Sequence, residues 1–124
     1  MPREISSLAE LDQAVAHSFV EPVVIFKHST TCGTSAFAHE EILDVMAAGD
    51  GPVKVFIVHV RSHRDVSNAV ATRFKIRHES PQVLLVRDGQ VVWSASHFRV
   101  TAKAIADKLR GLGAALHAGA GAGK

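Results

Sequence analysis

The chain has 124 residues, 14 Lys and Arg against 12 Asp and Glu, and eight histidines, for a formal net charge of +2 at neutral pH. That length suits one domain with a real core, and a composition of 47% hydrophobic and 21% charged residues is ordinary for a globular chain. The near balance of charge and the lack of a basic run argue against a nucleic-acid partner. No apolar stretch approaches the ~20 residues that span a bilayer, so no membrane partner is expected. Met1–Glu10 is polar and mixed in charge, unlike a secretory leader. The single cysteine, Cys32, excludes an internal disulfide framework and fits a reducing, cytoplasmic setting.

Ser7 followed by Glu10 has capping-box spacing, and Leu8, Leu11 and Val15 recur at helical intervals, which predicts a first helix over 7–17. Pro22–Lys27 is a β-branched run suited to a strand buried on both faces. His28–Thr31 reads as a turn. Residues 32–48 place Phe37, Ile42, Val45 and Met46 at helix-compatible positions, and Gly49-Asp50-Gly51-Pro52 stops that helix. Val53–Val60 is a second strand. Ser62 or Asp65 would cap a helix over 65–74 with Val66, Ala69, Val70 and Phe74 on its apolar side.

Pro81 opens a third strand, Gln82–Val86, and Asp88-Gly89 favours a tight hairpin into a fourth, Val91–Ser94. Thr101 would cap a last helix that carries Ile105, Leu109 and Leu112 on one face. From Gly113 the chain degrades into alanine and glycine, a low-complexity composition expected to be disordered. The expectation is a domain over 1–112 and a tail over 113–124. The first two strands, joined by a helix, should run parallel, and the last two form an antiparallel hairpin. The fold class is therefore α/β: a four-stranded mixed sheet flanked by helices on both faces.

Cys32 lies in Thr31-Cys32-Gly33-Thr34-Ser35, after a strand and at a helix start. Free cysteines are most often buried and inert. A helix start changes that, because the amides of Gly33, Thr34 and Ser35 would be donors facing the sulfur, and such sites lower a thiol pKa from about 8.5 to roughly 3.5–7.5. Ser35 stands where a two-cysteine motif carries its second sulfur. It is either a solvent-facing first-turn serine or a hydroxyl that donates to the Cys32 thiolate. It cannot itself resolve a mixed disulfide.

A strand, a Cys-x-x-Cys or Cys-x-x-Ser turn opening a helix, and a later Ser-Pro before a hairpin resemble the thioredoxin layout over roughly residues 5–112. Three segments narrow the resemblance: Phe26-Lys27-His28-Ser29-Thr30-Thr31-Cys32 with Ser35, then His78-Glu79-Ser80-Pro81-Gln82-Val83, then Ala95-Ser96-His97. They are similar to the YtxJ-like monothiol bacilliredoxins, a family linked to bacillithiol, the low-molecular-weight thiol some bacteria use in place of glutathione. The resemblance implies a thiol–disulfide oxidoreductase that removes bacillithiol from mixed disulfides on client proteins, with Cys32 as nucleophile, bacillithiol as co-substrate and no bound cofactor. Thioredoxins usually carry Trp before the first cysteine and a buried Asp six residues before it; Thr31 and Phe26 stand there. With one cysteine, general dithiol reduction is not expected.

The resemblance also implies a cis Ser80–Pro81 bond facing Cys32, with Ser80 offering its backbone N–H and C=O to the cysteinyl part of bacillithiol. His28, His97, Lys27, Arg77 and Arg99 are surface charges by default. They also flank the three loops expected to converge at Cys32, and the two malate carboxylates of bacillithiol suit a cationic rim. Ser96 and His97 occupy the place where related glutaredoxins hold a ligand carboxylate. The expected ligand-binding set is thus Gly33, Thr34, Ser80, Pro81, Ser96, His97 and His28. Trp93 reads as packing. His59 and His63 straddle a strand end and do not form a helical pair, so no metal is expected.

Two rival readings remain open on sequence. Cys32-Gly33-Thr34-Ser35 differs by one residue from the Cys-Gly-Phe-Ser of monothiol glutaredoxins that carry iron–sulfur clusters, although the insertion those proteins have before the motif is absent. The other is a non-enzymatic redox-sensing or binding module in which Cys32 is only capped. A monomer is expected under the main reading.

Overall fold

The computed structural model describes the backbone of residues 2–30, 33–47 and 54–122, with side chains described through Leu112. The chain runs β1 (Arg3–Glu4), α1 (Leu8–His17), β2 (Val23–His28), α2 (Gly33–Ala47), β3 (Lys54–His59), α3 (Arg64–Phe74), β4 (Gln82–Arg87), β5 (Gln90–Ser96), a 3₁₀ turn (His97–Arg99) and α4 (Ala102–Ala122).

The sheet has five strands in the order β1-β3-β2-β4-β5, one more than expected. The addition, β1, is two exposed residues pairing parallel with Phe56 and Ile57, too short to leave an alternation pattern in the sequence. β2 pairs parallel with β3 and antiparallel with β4, and β4 pairs antiparallel with β5. All six residues of β2 are buried, as a central strand with helices on both faces requires.

Alternate residues of each inner strand supply two cores. Val23, Ile25, Phe56, Val58, Leu84 and Val86 meet Leu11, Ala14 and Val15 of α1 and Val66 and Val70 of α3. On the other face Val24, Phe26, Val55, Ile57, Val83 and Leu85 meet Ala38, Ile42 and Val45 of α2 and Ile105 of α4, with Trp93, Leu109 and Leu112 packed against them. Each such aliphatic side chain contributes about 1.5–3 kcal/mol on burial. Two residues read as apolar-face members lie outside these cores: Leu8 is 51% and Phe37 36% exposed.

The element ends follow local chemistry. Ser7 Oγ accepts from Glu10 N–H, but the Glu10 carboxylate reaches back to the N–H and hydroxyl of Ser6, one residue before the cap. Thr101 Oγ1 accepts from Ala104 N–H, and Glu41 of α2 accepts from Ala102 N–H at 2.9 Å, so two side chains cap α4. α3 departs from expectation: its N-cap is His63, with no side-chain cap bond. The hairpin turn has positive φ at Asp88 (53°) and Gly89 (76°), as an Asp-Gly type I′ turn requires. α4 runs on to Ala122, beyond the Leu112 where the sequence reading stops it; alanine is the strongest helix former in that stretch. The expected Gly49–Pro52 helix stop and the first residue of the second strand, Val53, lie outside the described residues.

Candidate active site

Three features meet at one end of the sheet: the end of β2, the start of β4 and the end of β5. β2 runs into Ser29 and Thr30, and α2 begins at Gly33. Thr31 and Cys32 lie outside the described residues; in the sequence Cys32 directly precedes the first helical residue. No acidic residue stands in the first turn of α2, so no side-chain charge opposes the positive end of the helix dipole there. Gly33 is exposed and Thr34 partly so. A Cβ added at Gly33 would meet nothing within 4 Å.

Ser35 is fully buried, which removes the solvent-facing reading. Its Oγ accepts from Ser29 N–H at 3.3 Å, tying the first turn of α2 back to the end of β2. A hydroxyl that accepts in this way still has its own proton to donate.

The two residues that end β2 point to opposite faces, and neither is on a rim. His28 is only 8% exposed. Its ring lies 5.4 Å from Phe26, 4.9 Å from His39 and 5.8 Å from His59, centroid to centroid. Burial, then the charges of His39 and His59, lower its pKa, so His28 is neutral at pH 7. Its Nδ1 is buried with no hydrogen-bond partner among the described residues. Among those residues no group of three or more His, Cys, Asp or Glu side chains is placed to hold a metal ion.

Lys27, expected at the surface, is completely buried. Its Nζ lies 3.0 Å from His78 Nδ1, and Ser67 Oγ of α3 lies 3.5 Å from the same nitrogen. Burial pushes the Lys27 pKa down to about 8. The His78 pKa is lowered by burial, then by Lys27 and Arg64, against the opposing charge of Glu79. An ammonium donating to a neutral imidazole satisfies both shifts. This bond ties β2 to the loop that enters β4.

That loop carries the expected backbone feature: the Ser80–Pro81 peptide bond is cis. Pro81 is buried, and Ser80 Oγ is buried without a hydrogen-bond partner among the described residues. Gln82 Nε2 donates to Arg77 O at 3.0 Å, and His97 N–H donates to Pro81 O at 3.0 Å. β5 therefore delivers Ser96 and His97 beside the proline. Their side chains turn onto a residue the sequence reading quoted without giving it a role: Ser96 Oγ donates to Glu79 Oε2 at 2.8 Å, and His97 Nε2 is 3.7 Å from Glu79 Oε1. Arg77 and Arg99 are exposed. Phe37 and Phe98, both exposed, pair at 5.5 Å. Spacing gives no signal for Glu79, for the burial of Lys27, or for the neighbours His39 and His59, because each depends on which strands pair.

A pocket of about 200 Å³ lined by Arg3, Glu10, His17 and Lys54 lies away from these loops, between β1, α1 and β3. Among the described residues no helix is long and apolar enough to cross a membrane.

Against known proteins, residues 3–105 match the family model described as monothiol bacilliredoxin BrxC. Among solved structures, a thioredoxin-fold protein provisionally described as an oxidoreductase is 26% identical with a TM-score of 0.78, covering 86% of this chain and 91% of that one. Chloroplastic thioredoxin z is similar at 20% identity and a TM-score of 0.71, with 91% and 95% covered. The thioredoxin of Trypanosoma brucei brucei is similar at 12% identity and 0.72, with 90% of each chain covered. The fold is thioredoxin-like, and the family match together with that fold supports a thiol–disulfide oxidoreductase.

Proposed function

Because the chain belongs to the monothiol bacilliredoxin family, which it matches from residue 3 to residue 105, we propose that it removes bacillithiol from mixed disulfides on client proteins, with Cys32 as the nucleophile. The observation that carries this reading is a single cysteine that directly precedes α2 in the sequence, with a buried serine at the position of a second cysteine and a cis-proline loop beside the end of β2.

The Cys32 thiolate attacks the bacillithiol sulfur of the client disulfide. The client sulfur leaves with the electron pair and takes up a proton, and a Cys32–bacillithiol disulfide forms. A second bacillithiol thiolate then attacks the bacillithiol sulfur of that adduct. Oxidised bacillithiol leaves and Cys32 returns as thiolate, so each turnover carries one disulfide from client to small thiol. The dipole of α2 favours the thiolate and Ser35 offers a hydroxyl proton nearby. Ser80 presents backbone to the ligand, with Gly33, Thr34 and Pro81 shaping the approach. The protein acts as a monomer in the cytoplasm with no resident cofactor.

A bacillithiolated peptide tests this. Wild type is expected to release peptide thiol and to gain one bacillithiol mass on Cys32 after exposure to oxidised bacillithiol. Release no faster than by Cys32→Ser would sink the proposal.

A further inference from the structure

The corner made by Ser96 and His97 was expected to hold a ligand carboxylate, yet the chain itself fills it with one. Ser96 Oγ donates to Glu79 Oε2 at 2.8 Å, and His97 Nε2 stands 3.7 Å from the other oxygen. The arrangement is built. Ser96 is the N-cap of the 3₁₀ turn but makes no side-chain cap bond to it, its hydroxyl being committed to Glu79. His97 takes the left-handed backbone (φ 53°), a conformation that non-glycine residues keep where the surroundings over-determine it; here its N–H is held by Pro81 O.

Glu79 is half-buried, with 39% of its side chain exposed. A carboxylate has about four acceptor positions, so one strong bond and one long contact leave room for a further donor from solvent. A second carboxylate brought to this corner would meet like charge and find the Ser96 donor taken. A cation would meet a fixed, partly desolvated acceptor.

We infer that Glu79, held by Ser96 and His97 beside the cis Ser80–Pro81 bond, is a seat for the free α-ammonium of a cysteinyl thiol and sets selectivity for thiols that carry one. This rests on the functional reading above, in which Ser80 pairs with the cysteinyl part of the ligand. Glu79 adjoins Ser80, and the α-nitrogen of a cysteinyl group is only two carbons from its sulfur. Thiols whose cysteine nitrogen is acylated present no cation there and are disfavoured.

The test uses mixed disulfides of 5-thio-2-nitrobenzoate with cysteine and with N-acetylcysteine, reading Cys32-dependent release of the chromophore. The ratio of the two second-order rate constants for single-turnover release (cysteine probe over N-acetylcysteine probe) in wild type, divided by the same ratio in Glu79→Gln, cancels the intrinsic reactivity of the probes. The glutamine keeps an oxygen for Ser96 Oγ while removing the charge. We expect a quotient of about three to ten, the size of a partly exposed charge-assisted contact, and Glu79→Asp should keep the preference.

A quotient near one overturns the inference. So does a preference of wild type for the 3-mercaptopropionate disulfide over the 2-mercaptoethanol disulfide that Ser96→Ala abolishes, because the corner would then take carboxylates. Exchange with both cysteine probes without discrimination overturns this inference alone, whereas no Cys32-dependent exchange with any probe overturns the functional reading as well.

Discussion

Replacing Lys27 by methionine should stabilise the protein at neutral pH and lose that advantage in base. Lys27 is completely buried, and burial moves its pKa from 10.5 to about 8. At about 1.4 kcal/mol per unit, keeping the ammonium inside costs on the order of 3 kcal/mol. The cost applies in full below pH 8, where the folded chain still holds the proton. Between pH 8 and 10.5 the folded chain releases the proton before the unfolded chain does, so wild-type stability rises with pH across that window. Methionine fills a similar volume without charge but forfeits the bond to His78 Nδ1, about 0.5–1.5 kcal/mol. The net expectation is a variant about 1.5–2.5 kcal/mol more stable than wild type at pH 7, with the difference gone or reversed at pH 10. Urea unfolding of both proteins at the two pH values measures it. A variant less stable at pH 7, or a difference that does not change with pH, would refute the burial argument.

Gly89→Ala should lower stability by about 1–3 kcal/mol, because the position has φ 76° and a new Cβ would stand 2.8 Å from Phe19 Cζ; Phe19→Ala in the same background should recover the steric share in a denaturation series. Glu41→Ala and Thr101→Ala should each cost about 1 kcal/mol by removing an acceptor at the α4 N-terminus, whereas Lys103→Ala, which breaks an exposed pair with Asp107, should cost less than about 0.5 kcal/mol in the same assay. Ser35→Cys should add a resolving thiol three residues after Cys32 in the sequence, so that thiol titration after mild oxidation finds both sulfurs consumed within one chain and insulin reduction appears; two titratable thiols after oxidation would count against the proposed chemistry.

The sequence made most of the fold legible where a single element decides its own form. The β-branched runs of β2 and β3, the Asp-Gly turn and the Thr101 cap each state their conformation locally. The Ser80–Pro81 bond became legible only through the family resemblance, since composition argues for trans. What stayed hidden depends on pairing across the sheet. Lys27 reads as a surface cation until β2 is known to lie between β3 and β4, which leaves its side chain nowhere to go but under His78. Glu79 gains its role only when Ser96 pairs opposite Gln82 and brings the β5 end to the proline loop. β1 is invisible because two exposed residues carry no period.

The hairpin turn and the α1–β2 connection are fastened to each other at the end of the sheet away from the cis Ser80–Pro81 bond. Ser18 O accepts from Asp88 N–H at 2.8 Å, Ser18 Oγ accepts from Gly89 N–H at 2.9 Å, and the Phe19 ring covers the glycine. The chain is thus clasped at the pole opposite the cis Ser80–Pro81 loop. Local opening can be confined to the proline-loop pole while the clasp keeps strand register. Under native-state hydrogen exchange the amides of Asp88 and Gly89 should open only with the whole domain, and those of the 77–80 loop well before it. Such a division lets the proline-loop end of the molecule move without loosening the strand pairing at the other end.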